Sequence, residues 1–121
     1  MTRVFQDKYG PNHGTCLQAA VASVLSLPLH AVPDIAHVDP EIWQAFLLRM
    51  NLVELTLPAS ARPDCYYIAS GASEKTGREH ACVYRAGKLV HDPHPGRKGL
   101  SRIDSIYVLV PMELDYSEEA A

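Results

Sequence analysis

The chain has 121 residues, of which 47% are hydrophobic and 21% are charged, and its formal net charge is -3. This length is typical of one compact domain that buries its own core without stabilising cross-links. The slightly acidic charge, with no basic stripe along the chain, argues against a nucleic-acid partner. We therefore expect a single domain over residues 1–112, followed by an acidic C-terminal tail over residues 113–121.

The sequence carries no signature of export or of membrane insertion. Its first residues contain no apolar segment of the secretory type, and no stretch approaches the roughly 18 apolar residues of a membrane span. The three cysteines lack C-x-x-C spacing and are odd in number, which predicts neither a disulfide framework nor a zinc ribbon. We expect a cytoplasmic protein with no membrane partner and at least one free thiol.

Two helices come first in the chain. The first is predicted over Thr15–Leu27, where Gly14 or Thr15 can cap it and Pro28 stops it. Its apolar residues recur at helical spacing: Leu17, Ala20, Val21, Val24 and Leu25. The second is predicted to start with Asp39 as N-cap and Pro40 as the first helical residue. It runs on to Met50, with one apolar face formed by Ile42, Phe46 and Met50.

The remaining predicted elements are strands. Each is short, partly β-branched or aromatic, and bounded by Gly, Pro or Asp. They are Leu52–Leu57, Cys65–Ser70, Glu79–Arg85, Lys88–Asp92 and Ser105–Pro111. Because helices and strands are segregated along the chain, the pattern predicts an α+β fold in which the helices pack on a mainly antiparallel sheet of four to five strands.

The length of one hairpin loop decides which residues face each other. A two-residue loop would set His80 opposite Pro93 and turn Asp92 to the other face. A three-residue loop over residues 85–87, with Gly87 in the left-handed bulge position, sets His80 directly opposite Asp92. We predict the second register, because Gly87 stands at the position where that turn needs a glycine. An imidazole and a carboxylate opposed in this way can form the hydrogen bond that fixes the imidazole tautomer.

Cys16 is the candidate nucleophile. A cysteine at a helix N-terminus lies at the positive end of the helix dipole, which favours the thiolate. A lone buried cysteine is more often a small packing residue, but a histidine and a carboxylate complete the parts of a thiol nucleophile site. We expect Asp92 to orient His80 and His80 to activate Cys16, whereas Cys65 and Cys82 are predicted to pack in the core.

An acyl-transfer site also needs donors for the oxyanion. The backbone N–H of Cys16 is one candidate, and the side-chain amide of Gln6 is the second, with Asn12 as its substitute. A metal is not expected. His91 and His94 could join Cys16 or Asp92 in a metal site, but their spacing and the neighbouring prolines are those of a turn.

In chain order, these residues resemble the papain-like cysteine peptidase superfamily, and most closely its small bacterial and phage C39-like branch. The residues that carry the resemblance are Gln6, Cys16, His80, Gly87, Asp92 and Pro93. The match covers about residues 4–111, and the segment over residues 80–93 is its most specific part. Two features depart from the family pattern: Leu17 follows Cys16 in place of the common glycine, and Gln6 lies ten positions before Cys16.

The resemblance implies a papain-like fold whose central helix carries Cys16, and an activity that needs no cofactor. It implies that the Cys16 thiolate attacks the carbonyl of a peptide or protein substrate, with His80 as base and then as acid. The bond broken would be a peptide, isopeptide or related amide bond. The alternatives are deamidation, transglutamination or peptidoglycan-stem hydrolysis by the same residues, and a catalytically silent peptide-binding module. No oligomeric state is predicted.

Overall fold

A computed structural model describes residues 1–10 and 12–112, so the acidic tail predicted over residues 113–121 lies outside the described residues. The described part contains two α-helices, one short 3₁₀ turn and five strands. In chain order they are α1 (Cys16–Leu25), the 3₁₀ turn (Leu29–Ala31), α2 (Pro40–Arg49), β1 (Leu52–Leu57), β2 (Tyr67–Ser73), β3 (Glu79–Arg85), β4 (Lys88–His91) and β5 (Leu100–Pro111). None of these helices has the length and apolar character needed to cross a membrane.

The helix starts follow the prediction better than the helix ends. Asp39 is extended at the N-cap of α2 and Pro40 opens the helix, where a missing N–H costs nothing. The first helix ends earlier than predicted. Ser26 adopts the left-handed conformation, with φ 55° and ψ 43°, and its backbone N–H donates to the last turn. Left-handed geometry at this position ends a helix by itself, so α1 stops before Pro28 is reached.

The buried face of α2 differs from the predicted one. Trp43, Phe46 and Leu47 are buried, whereas Ile42 is 49% exposed and Met50 is 36% exposed. The two aromatic rings stack with their centroids 5.5 Å apart. Trp43 offers more apolar area for burial than Ile42 does. The side of α2 that carries Trp43 therefore faces the sheet.

The five strands form one sheet in the order β1-β5-β2-β3-β4, with every neighbouring pair antiparallel. This confirms the α+β class and the antiparallel sheet. The bounds of β1 and β3 are those predicted, whereas β5 begins at Leu100, five residues before the predicted start at Ser105. The added segment contains the exposed Arg102 and Asp104, and these polar residues interrupt the apolar pattern from which a strand is predicted. The segment is a strand because it pairs with β2.

The predicted loop of the β3–β4 hairpin is wrong. Arg85 pairs with Lys88, so the loop consists only of Ala86 and Gly87. Both loop residues have positive φ, 50° and 80° respectively. A two-residue turn of this left-handed type matches the twist of the flanking strands, which explains why it forms even though alanine is not favoured there.

A bulge in the same hairpin restores the contact that the short loop would have broken. Tyr84 pairs with Leu89 but Val83 pairs with His91, so β4 carries one extra residue at this point. Continuing the shifted pairing by one residue brings Asp92 back to the face of the sheet that carries the even-numbered side chains of β3. The predicted partner of Asp92 is therefore reached through a bulge rather than through a directly opposed pair.

The strands β2 and β3 are buried on both faces of the sheet. On one face α1 packs against β3 and β2, and α2 packs against β1. The sheet residues in this core are Ile68, Ala81 and Val83. On the other face lies a second cluster made by Tyr67, Ala69, Cys82, Tyr84 and Ile106. This arrangement places the N-terminal end of α1 beside the start of β3, and there the candidate site lies.

Candidate active site

His80 and Asp92 form a buried pair at the start of β3. The His80 Nε2 atom lies 2.7 Å from Asp92 Oδ1, and the two side chains are only 5% and 3% exposed. The carboxylate is held on both sides, because the His94 N–H donates to Oδ1 and the Gly99 N–H donates to Oδ2, each at 2.9 Å. Gly99 has φ 88°, a conformation natural to glycine, which directs its N–H at the carboxylate.

The pair is ionic at neutral pH. Burial by itself would lower the pKa of His80, but the hydrogen bond to Asp92, followed by those with the thiols of Cys16 and Cys82, outweighs burial and raises it to about 11. Burial also works against the Asp92 carboxylate, yet the hydrogen bond from His80 and the two backbone N–H groups lower its pKa to about 2. The imidazole is therefore an imidazolium with two N–H groups, and its Nε2–H donates to Asp92.

Cys16 is the first residue of α1 and is partly exposed. Together with His80 it lines two adjoining cavities, of about 280 Å³ and about 60 Å³. The larger one extends past Leu17 and His37. The smaller one extends past Gln6. The partly exposed Cys16 and the imidazolium of His80 thus line the same two cavities.

Gln6 lies in the smaller cavity, next to Cys16. It is only 6% exposed, and its Nε2 atom donates to the Lys8 carbonyl at 2.9 Å. This leaves the second amide hydrogen for another acceptor, while the Oε1 atom has no partner among the described residues. Asn12, the substitute candidate, is exposed and lines neither cavity, so the structure brings Gln6 and not Asn12 to the thiol.

Thr15 holds the strand-like N-terminal segment against the start of α1. Its hydroxyl donates to the Asp7 carboxylate at 2.9 Å and accepts the N–H groups of Asp7 and Lys8. The residue predicted as a helix cap therefore makes no capping bond within α1. It fixes the backbone that carries Gln6, and a further bond from the Gln6 N–H to the Pro93 carbonyl ties this segment to the loop of Asp92.

The other two thiols have different surroundings. Cys82 is fully buried behind the imidazole, and burial raises its pKa to about 11, which keeps it protonated. This matches the packing role predicted for it. Cys65 is only partly buried, so the prediction that it lies in the core holds in part. Neither residue lines the cavities shared by Cys16 and His80.

Metal ligation fits this site poorly. Among the described residues, donor atoms of His80, Cys82 and Asp92 lie within 4.8 Å of one another. The imidazole and the carboxylate already satisfy each other, and the thiol stays protonated, whereas zinc needs a deprotonated sulfur. His91 donates to the Val4 carbonyl at 2.6 Å and lies outside this cluster. The donor set is therefore better suited to an ion pair than to a metal.

Two arginines that were not predicted from the sequence also lie at this site. Arg78 and Arg97 line the smaller cavity together with Cys16 and His80. Arg78 stands two residues before His80, and Arg97 stands five residues after Asp92. Their closeness in sequence to His80 and Asp92 is the one feature from which they could have been predicted as site residues.

Comparisons with protein-family models, with curated proteins and with solved structures found no match for this chain. What can be stated of its class comes from the structure itself. It is an α+β protein in which a cysteine at a helix N-terminus, a histidine and an aspartate lie close together.

Asp92→Asn is expected to destabilise the fold by about 2–4 kcal/mol, because an amide cannot accept hydrogen bonds on both sides and leaves the imidazolium unpaired. The loss should depend on pH. The Asp92 contribution is present above pH 3.8 and lost as the pH falls through about 2. The His80 contribution is complete below pH 6.5 and lost as the pH rises towards about 11. The pair therefore stabilises the fold most between pH 3.8 and pH 6.5.

Urea unfolding across this pH range measures the effect. The parent should show a stability maximum that the Asp92→Asn variant lacks. Asp104→Asn is the matched control, because Asp104 is exposed and pairs with Arg102 on the surface, where removal of an ion pair changes stability little. Equal pH profiles for parent and Asp92→Asn would show that the buried pair does not contribute as described.

Proposed function

We propose that this protein is a cysteine hydrolase that cleaves a peptide, isopeptide or related amide bond through an acyl-enzyme. The proposal includes a papain-like arrangement of the fold, of the C39-like kind. The observation that carries it is the placement of Cys16 and His80 on one cavity wall, with Asp92 bonded to the far nitrogen of the imidazole. A nucleophile, a proton carrier and an orienting group are the three parts of a thiol hydrolase site.

The ionic state of His80 suggests how the first step proceeds. Because its pKa is raised to about 11, the imidazole is protonated at rest. We propose that the Cys16 thiol gives its proton to solvent and that the thiolate then forms an ion pair with the imidazolium. The family resemblance implies that His80 acts first as a base. In the proposed mechanism the proton is already on His80, so the thiolate attacks the carbonyl carbon directly and the imidazolium then protonates the leaving amine.

The second step returns the site to its resting state. With its proton gone to the amine, neutral His80 accepts a proton from water, and the water oxygen attacks the thioester carbonyl of the acylated Cys16. The C–S bond breaks, the acid product leaves, and the proton on His80 restores the ion pair. In both steps the oxyanion can accept hydrogen bonds from the Cys16 N–H and from the free amide hydrogen of Gln6.

A second candidate function uses the same residues on a different acyl donor. In deamidation the acyl donor is the side chain of glutamine or asparagine and the leaving group is ammonia, whereas in transglutamination a substrate amine takes the place of water. The larger cavity has a volume of about 280 Å³. Cleavage is favoured here because Leu17 and Ala81 give that cavity apolar walls that suit the side chain of a peptide passing through it.

Mass spectrometry of peptide and isopeptide pools after incubation with the protein tests the proposal. New chain ends indicate cleavage, and conversion of a side-chain amide to an acid indicates deamidation. The Cys16→Ala variant is the control and should leave every pool unchanged. Turnover by the parent that is no faster than in Cys16→Ala, with binding of a peptide retained, would overturn the proposal in favour of a binding module.

A further inference from the structure

The candidate site lies in the middle of a longer groove. The cavity of about 60 Å³ shares Cys16 and His80 with the cavity of about 280 Å³ on one side. On the other side it shares Arg97 with a third cavity of about 310 Å³. The groove therefore continues past the thiol in two directions, and its two ends differ in charge.

The third cavity and the smaller one together form what we call the basic groove, lined by Lys75, Arg78, Arg97 and Lys98. The acidic residues that line it are Glu74 and Glu79. Among the described residues none of these four cations forms an ion pair, although the exposed Arg85 and Arg102 each pair with an aspartate. The basic groove thus has excess positive charge on a chain whose net charge is -3.

Both arginines lie close in sequence to His80 and Asp92. Arg78 lies two residues before His80, at the point where β3 begins. Arg97 lies in the loop between His94 and Gly99, and both ends of this loop donate backbone N–H groups to the Asp92 carboxylate. Arg97 is also only partly exposed, and a planar guanidinium loses little entropy for each hydrogen bond that it forms. Guanidinium groups bind carboxylates through paired hydrogen bonds.

We propose that the substrate carries a carboxylate on the side of the reacting bond that lies towards Arg97, and that Arg78 and Arg97 select it. The carboxylate is either the side chain of an acidic residue or the free end of a peptide chain. This inference rests on the proposed function, since it assigns the substrate class of that site. The opposite end of the groove is lined by Leu17, Ala36 and Ala81 together with His37 and Glu79, and no lysine or arginine is among its described lining residues.

A pair of thiol reagents tests the inference without a known substrate. Iodoacetate and iodoacetamide both transfer a carbon to the Cys16 sulfur and release iodide, but only iodoacetate carries a carboxylate. The readout is the ratio of their rate constants at Cys16. We expect Arg97→Gln and Arg78→Gln each to lower the iodoacetate-to-iodoacetamide ratio about fivefold at low salt, and the difference to shrink as salt is added.

Lys88→Gln is the matched control. It removes the same charge from the chain, but Lys88 lies at the turn of the β3–β4 hairpin, at the opposite end of β3 from His80. Its ratio should equal that of the parent. A ratio unchanged in both Arg78→Gln and Arg97→Gln would overturn the inference. Slow alkylation of Cys16 by iodoacetamide, no faster than that of Cys65, would instead count against the proposed function, so the two failures are distinguishable.

Protection experiments separate the two sources of the carboxylate. N-acetylaspartate α-amide has only a side-chain carboxylate, and N-acetylasparagine has only a terminal one. Protection of Cys16 from iodoacetamide by the first assigns an acidic side chain, and protection by the second assigns a chain end. In either case the protection should be lost in Arg97→Gln. Protection by neither compound, or protection that persists in Arg97→Gln, would contradict carboxylate binding in the basic groove.

Discussion

Replacing His80 with alanine is expected to lower kcat/KM for a nitrophenyl ester by about 10³-fold. In the proposed mechanism, this change removes the cation that pairs with the Cys16 thiolate, the acid for the leaving group and the base for water. It also leaves the Asp92 carboxylate buried without its partner, so part of the loss could come from a weakened fold. A second variant separates these effects.

His80→Gln retains an amide N–H that can donate to Asp92 but cannot carry a proton between substrate and water. We expect this variant to unfold at a urea concentration closer to the parent's and to be as inactive as His80→Ala. His30→Ala is the control, because His30 is 80% exposed and lies 3.4 Å from Asp7, away from the cavity. Activity in folded His80→Gln within a few-fold of the parent's would contradict the role given to His80.

Gln6→Ala is expected to lower kcat by about 10²-fold with a smaller change in KM, because the amide hydrogen matters only when the oxyanion develops. The matched control is Gln18→Ala. Gln18 is also a buried glutamine, and its Nε2 atom donates to the carbonyls of Leu29 and Val32. Its loss should weaken the fold without lowering kcat in the folded protein.

Asn12→Ala provides the second comparison, since Asn12 is exposed and lies outside both cavities. It should retain the parent's kcat. If Gln6→Ala retained the parent's kcat while Asn12→Ala lost it, the assignment of the oxyanion donor would have to be reversed. Steady-state kinetics with the same ester measures all three variants.

The element types were predictable because each follows from local pattern. The apolar residues of a helix recur every three or four positions, and Pro40 marks the start of α2. Each of these signals can be recognised within a short stretch of the sequence. The length of β5 was not predictable in the same way, since Arg102 and Asp104 interrupt the apolar alternation and only the pairing with β2 makes this segment a strand.

The contact between His80 and Asp92 was predicted from an incorrect register. Residue types at the loop favoured a bulge at Gly87, but the chain instead places Ala86 in a left-handed conformation and has its bulge further along β4. Hairpin register depends on loop geometry and bulge position together. The sequence shows which residues could form the loop and which could form the bulge. It does not show which pairing of loop and bulge occurs when two different pairings bring His80 and Asp92 to the same face.

The surroundings of the thiol depended on tertiary structure throughout. The sequence indicated Gln6 as a candidate, but its burial next to Cys16 comes from the bonds that Thr15 makes to the N-terminal segment. Arg78 and Arg97 reach the cavity because the loops that precede His80 and follow Asp92 converge there. No pattern in the chain predicts that convergence without the fold.

The central claim is that Cys16 attacks a carbonyl carbon and carries the acyl group. The direct test is the mass of the chain, quenched in acid shortly after mixing with a nitrophenyl ester, in the parent and in Cys16→Ala. The parent should gain one acyl group on the peptide that contains Cys16, and Cys16→Ala should gain none. An unmodified parent, or an acyl group found on Cys65 or Cys82 in its place, would contradict the claim.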